Sequence, residues 1–93
     1  MHVLRARPGY DWEDIEIAGT IASMQDEVGG CFRLMRFTSD AAVLYNPAAE
    51  GVGMRYNRRF LGTTFFGTFL IVGVDDGEPT DVTMTPRLRE WVG

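Results

Sequence analysis

The sequence contains no lysine, a single cysteine and a single histidine in 93 residues. One cysteine, Cys31, excludes an internal disulfide and fits a reducing compartment. A nucleophile–base pair would need Cys31 and His2 in contact and a third group to orient the imidazole. No feature of the sequence supplies that arrangement, so no catalytic residue is assigned and Cys31 is expected to be a small core residue. Clustered His and Cys are lacking too, and the dense carboxylates Asp75, Asp76, Glu78 and Asp81 do not have the spacing of a calcium loop. No metal or other cofactor is therefore expected. No apolar run approaches the roughly 20 residues of a membrane-spanning helix. The N-terminus has no apolar signal core, so a cytoplasmic location is expected. Basic charge is in deficit: nine Arg face thirteen Asp and Glu, for a net charge of −4. That balance disfavours nucleic acid as a direct ligand and suits a surface that competes with nucleic acid for a basic partner.

The sequence does contain one long run of β-branched and aromatic residues, Thr63 to Val74. Phe69 and Ile71 alternate with Leu70, Val72 and Val74, so both faces are apolar. This pattern predicts the central strand of a sheet covered on both sides. His2–Arg7 reads as a strand stopped by Pro8-Gly9, and Asp14–Ile17 as a half-buried strand with both Ile inward; together they predict a hairpin. Thr20 is an N-cap candidate for a short helix ended by Gly29-Gly30, with Ile21, Met24 and Val28 on its apolar face. Residues 31–37 and 42–46 predict a second hairpin. Residues 47–53 form a loop, and Met54–Leu61 has no clean period and is expected to be irregular or a single helical turn. Residues 75–81 read as an acidic surface loop. Thr85-Pro86 opens a last helix with Leu88, Trp91 and Val92 on its apolar side. The expected architecture is one domain over residues 1–93 of α+β class: a mostly antiparallel sheet of four to five strands, packed by one main helix and a short C-terminal helix.

Several segments together carry a family likeness: Glu16-Ile17 with Gly19-Thr20, Met24-Gln25, Val28-Gly29-Gly30, Asn57-Arg58 and Gly67-Thr68-Phe69-Leu70-Ile71-Val72-Gly73. They resemble a small domain-of-unknown-function family, number 3846, whose members occur in bacteriophages and other mobile elements. The likeness covers roughly residues 14–74. Family members usually carry an Asn-x-Glu-Gly-Lys turn after the fourth strand; here Asn46-Pro47-Ala48-Ala49-Glu50-Gly51 has no Lys. The resemblance implies a phage or mobile-element accessory protein and transfers no catalytic residue.

Two contact surfaces are candidates. The first is acidic: Asp75, Asp76, Glu78 and Asp81, with Asp11 and Glu13. Such carboxylates can stand in for phosphates against a basic channel. The expected function is then binding of a host protein without catalysis, in its sharpest form as an anti-defence (anti-CRISPR or anti-restriction) inhibitor of a nucleic-acid-binding complex. The second is the arginine cluster Arg55, Asn57, Arg58 and Arg59, in the least regular part of the chain, which suits an anionic small ligand or nucleotide. Internal pairing of these arginines with the acidic loops is the competing reading. Phe65, Phe66 and Phe69 are expected in the core rather than as a stacking platform. A homodimer built on an edge strand such as His2–Arg7 is within reach of a chain this small.

Overall fold

The strand Phe69–Asp75 is apolar at six of its seven positions, and all six are buried. It holds the middle of the sheet. The structure, a computed structural model, describes residues 1–92. In chain order its elements are β1 (His2–Ala6), β2 (Glu13–Glu16), α1 (Ile21–Val28), β3 (Arg33–Arg36), β4 (Ala41–Tyr45), β5 (Tyr56–Phe60), β6 (Thr63–Phe66), β7 (Phe69–Asp75), β8 (Glu78–Thr80) and α2 (Pro86–Val92). The main sheet runs β2-β1-β7-β4-β3, with β8 also paired to β7, and β5 and β6 form a separate two-stranded sheet. Every pairing is antiparallel. The α+β class and both expected hairpins of the first half are present. The main sheet has six strands because β8 extends it.

Because β7 alternates between two apolar sets, the sheet has two cores. Leu70, Val72 and Val74 pack with Val3, Ala42 and Leu44 against Met24 and Val28 of α1. Phe69 and Ile71 pack with Leu4, Ala6 and Val43 against Phe60 and Phe65 of the β5–β6 hairpin and Leu88 of α2. The second core is aromatic. Trp12 meets Phe60 and Phe69 edge-on at 5.3 and 5.5 Å, and Phe65 stacks on Phe69 at 4.4 Å. Trp91 meets Phe37 at 5.2 Å and so anchors α2, as the sequence predicts. Both expected N-caps form: the Thr20 hydroxyl accepts from the Ser23 N–H, and the Thr85 hydroxyl from the Leu88 N–H. Gly29 ends α1 in the left-handed conformation.

Several expectations need correction. Residues 63–74 are not one strand: Gly67, at φ 69°, breaks the run, and the first part folds back as β6. Residues 54–61 are not irregular, since Tyr56–Phe60 is β5, paired to β6 across the two-residue turn Leu61-Gly62. A register shift between Tyr56 and Arg58 hides the strand's period. The acidic segment is a tight turn at Asp76-Gly77 followed by β8, not a loop. The strand β1 lies between β2 and β7, so it offers no edge for a dimer. Ile21 is exposed, because it sits in the first helical turn beyond the sheet's cover. Cys31 is exposed, since it precedes the first paired residue of β3. Phe65 and Phe69 are buried; Phe66 is only partly so, pointing out of the hairpin toward Tyr56.

Candidate functional site

The six acidic candidates fall at two ends of the main sheet. Asp11 and Glu13 belong to the β1–β2 turn and the start of β2, and β1 ends opposite the start of β7 (Ala6↔Phe69). Asp75, Asp76 and Glu78 lie at the other end of β7. Six residue steps along a strand separate the two groups by about 20 Å, so they do not form one patch.

Glu13 is committed internally. Its carboxylate accepts from Arg7 at 2.6 and 2.9 Å and from Arg5 at 3.2 Å, and Arg5 reaches on to Glu27 of α1 at 3.1 Å. The network ties β1, β2 and the helix together on the α1 face. The guanidinium groups of Arg7, chiefly, and Arg5 pull the Glu13 carboxyl down from its ordinary value near 4.5 to about 2. A depressed pKa means that the stabilisation is complete above about pH 4.5 and is lost as pH falls through about 2. Urea unfolding measured between pH 5 and pH 2 is therefore expected to show a steeper acid loss in the parent than in Glu13→Gln. Equal slopes would show that these ion pairs do not form in solution.

Asp81 is also partly engaged: its carboxylate accepts from the His2 backbone N–H at 2.8 Å, which holds the chain after β8 against β1. His2 itself is paired through its ring with Asp14. Asp75, Asp76 and Glu78 make no salt bridge or side-chain hydrogen bond among the described residues, and all three are exposed. A fourth carboxylate joins them. The Val74 N–H donates to the Asp40 carbonyl at 2.9 Å, so the β3–β4 turn abuts the start of the β7–β8 turn. Among the described residues the Asp40 carboxylate accepts only from the Thr38 hydroxyl. Sequence spacing could not pair Asp40 with Asp75, because β4↔β7 pairing brings them together across a separation of 35 positions.

The arginine cluster is divided. Asn57 is buried, and its amide donates to the carbonyls of Ala6 (2.8 Å) and Gly67 (2.7 Å). Arg58 donates to the Asn57 side-chain oxygen at 2.7 Å and to the carbonyls of Arg7 (3.0 Å) and Tyr10 (2.5 Å), with its guanidinium over Trp12. These two residues clamp the β5–β6 hairpin to the β1–β2 turn. The arginine thus pairs with backbone carbonyls, not with the acidic loops. Arg55 and Arg59 are exposed and make no salt bridge among the described residues. Two cations without the Asn57–Arg58 fork are a thin basis for phosphate capture.

One further feature was not singled out in the sequence. A cleft of ≈ 110 Å³ lies between residues 45–50 and β6, lined by Tyr45, Asn46, Glu50, Thr64 and Phe66 among others. Among the described residues no group of three or more His, Cys, Asp or Glu is placed to hold a metal ion, and no helix is long and apolar enough to cross a membrane.

The comparisons with known proteins bear on the family alone. The model of a domain of unknown function, DUF3846, matches residues 1–92, well beyond the 14–74 over which the likeness is legible by motif. No curated protein and no solved structure matches the chain.

Proposed function

The chain belongs to the DUF3846 family of domains of unknown function, and from that premise we propose that it acts without catalysis, by binding a host protein. In this reading it is an accessory protein of a phage or mobile element, working in the host cytoplasm. The contact is the acidic end of the sheet: Asp40, Asp75, Asp76 and Glu78. Its sharpest form is an anti-defence inhibitor, in which these carboxylates occupy a basic surface that otherwise holds nucleic acid. The observation that carries the reading is the contrast within the molecule. Glu13, Glu27, Asp14 and Asp81 all have internal partners, whereas the four carboxylates at the end of β7 have no cation among the described residues and, unlike the scattered and equally unpaired Asp11, Asp26, Glu50 and Glu90, are gathered on turns fixed by the central strand. Rigid, unpaired charge loses little entropy when it meets a complementary surface.

The test is affinity capture from host lysate with and without nuclease, read by mass spectrometry, with the triple variant Asp75→Asn/Asp76→Asn/Glu78→Gln alongside. The expected result is a stoichiometric protein that survives nuclease, is bound at least tenfold more weakly by the variant, and shows a shallower salt dependence there. Equal affinity and equal salt slope for parent and variant would remove the acidic end as the contact.

A further inference from the structure

Exposed strand edges invite pairing with other chains, and proteins blunt them with charge, proline or bulges. The edges here follow that rule except at one place. The strand β2 carries three carboxylates in four residues, β3 has Arg33 and Arg36 at its ends, and β8 carries Glu78 and Pro79. The strand β5 carries Arg58 and Arg59 and the irregularity at Asn57. The strand β6, Thr63-Thr64-Phe65-Phe66, has no charge, no proline and no bulge of its own. Among the described residues it pairs with β5 alone, and no other backbone hydrogen bond reaches residues 63–66.

That unguarded edge borders the cleft. The cleft's walls are residues 45–50 and β6, with no residue of β5, so it lies on the side of β6 away from its partner. A two-residue turn closes on a hydrogen-bonded pair, here Phe60↔Thr63, and Leu61 and Gly62 both have the positive φ that such turns require. Antiparallel pairs alternate, so the next residue, Thr64, directs its N–H and C=O to the free edge. The volume of ≈ 110 Å³ suits one side chain and falls below the several hundred Å³ of a small-molecule pocket. Tyr45 and Phe66 give it aromatic walls, and Glu50 is its one charged group, exposed and without a cation among the described residues.

We propose that β6 is a docking edge for an extended, basic segment of a partner protein. The segment adds as a third strand to the β5–β6 sheet and places one Lys or Arg side chain in the cleft against Glu50, between the aromatic walls. A second copy of this chain is the poorer occupant, because β6 against β6 brings two Glu50 carboxylates together and no cation. The site is separate from the acidic end and does not depend on it.

The test is selection of phage-displayed random dodecapeptides on the intact protein, followed by amide chemical-shift mapping of the enriched peptides. The expected peptides alternate β-branched or apolar residues and carry a Lys or Arg. They shift the amides of residues 45–50 and 63–66, and they bind the triple variant of the β7–β8 turn with unchanged affinity. Glu50→Lys is expected to weaken them at least tenfold with no change in melting temperature. Thr64→Pro, which removes the N–H aimed at the free edge, is expected to weaken them as well. Failure to enrich any peptide over uncoated wells, shifts centred on another surface, acidic consensus peptides, or full affinity in Glu50→Lys would each overturn the proposal. So would a solution dimer that buries β6.

Discussion

Gly73→Ala is expected to cost at least about 3 kcal/mol, a large fraction of the 5–15 kcal/mol that holds a domain of this size. Strand propensity alone would favour the substitution, since alanine loses less backbone entropy than glycine. Space decides the sign. A methyl group on Gly73 would collide with the Asp81 carbonyl, lying 2.9 Å from its carbon, and would stand 3.1 Å from the Thr80 side chain. The closest obstruction, the Asp81 carbonyl, is backbone and cannot rotate away. It is pinned because the Val82 N–H donates to the His2 carbonyl at 2.9 Å and Asp81 accepts from the His2 N–H. Urea midpoints provide the measurement, with Gly51→Ala as control. A methyl group there meets only the Ala48 carbonyl at an ordinary 3.6 Å, and should change stability by less than about 0.5 kcal/mol. A parental midpoint for Gly73→Ala would mean that residues 80–82 are free to shift.

Asn57→Leu is expected to cost about 3 kcal/mol despite keeping the number and branching of heavy atoms, because it strands two buried carbonyls, Ala6 and Gly67, and removes the acceptor that orients Arg58. Asn57→Asp discriminates between lost packing and lost donation. The new carboxylate has the shape of the amide and keeps the Arg58 bond through one oxygen, but its other oxygen faces two carbonyl oxygens, so it should still destabilise at neutral pH. Protonation of that oxygen restores one donor, and burial against two carbonyls outweighs the single Arg58 contact, so the folded state raises that carboxyl's pKa and the loss should shrink as pH falls through the raised value toward about 4. Thermal melts of both variants at pH 7 and pH 4.5 check this. A pH-independent loss in Asn57→Asp would show that the amide is not the donor to these carbonyls.

These two residues mark where sequence reading stops. The strand β7 was legible because a doubly apolar run wants cover on both faces whatever its neighbours are. The helix α1 was legible because Thr20 and Gly29 are local signals, complete within ten residues. The strand β5 was not. Its inward residues are Asn57 and Phe60, three positions apart, and Asn57 is a polar side chain that is buried only because Ala6, 51 positions away, presents a carbonyl to it. No periodicity can register a partner at that distance, and the register shift at Asn57 erases what period remains. The break at Gly67 was hidden for a related reason. The run from Thr63 to Val74 is uniformly strand-forming, and only tertiary packing decides that its first four residues leave the main sheet. Of the candidate sites, the exposure of Asp75, Asp76 and Glu78 was legible from composition, because dense carboxylates stay in water, although the tight turn and the strand β8 within that segment were not. The engagement of Glu13 by Arg5 and Arg7, and of Arg58 by three oxygens, was not, since both follow from strand pairing.

The place of β7 in chain order bears on how the molecule comes into being. The middle strand of the main sheet is the seventh of eight to be made. Its neighbours β1 and β4 have no hydrogen bonds to each other, and without β7 they are separate hairpins on opposite sides of a gap. Neither hairpin is stable alone in water, and α1 is too short to persist unpacked. Structure therefore cannot accumulate from the N-terminus during synthesis. Nearly the first three quarters of the chain wait, largely unfolded, for Phe69–Asp75, and then close long loops in one cooperative step. Such a topology folds slowly for its size.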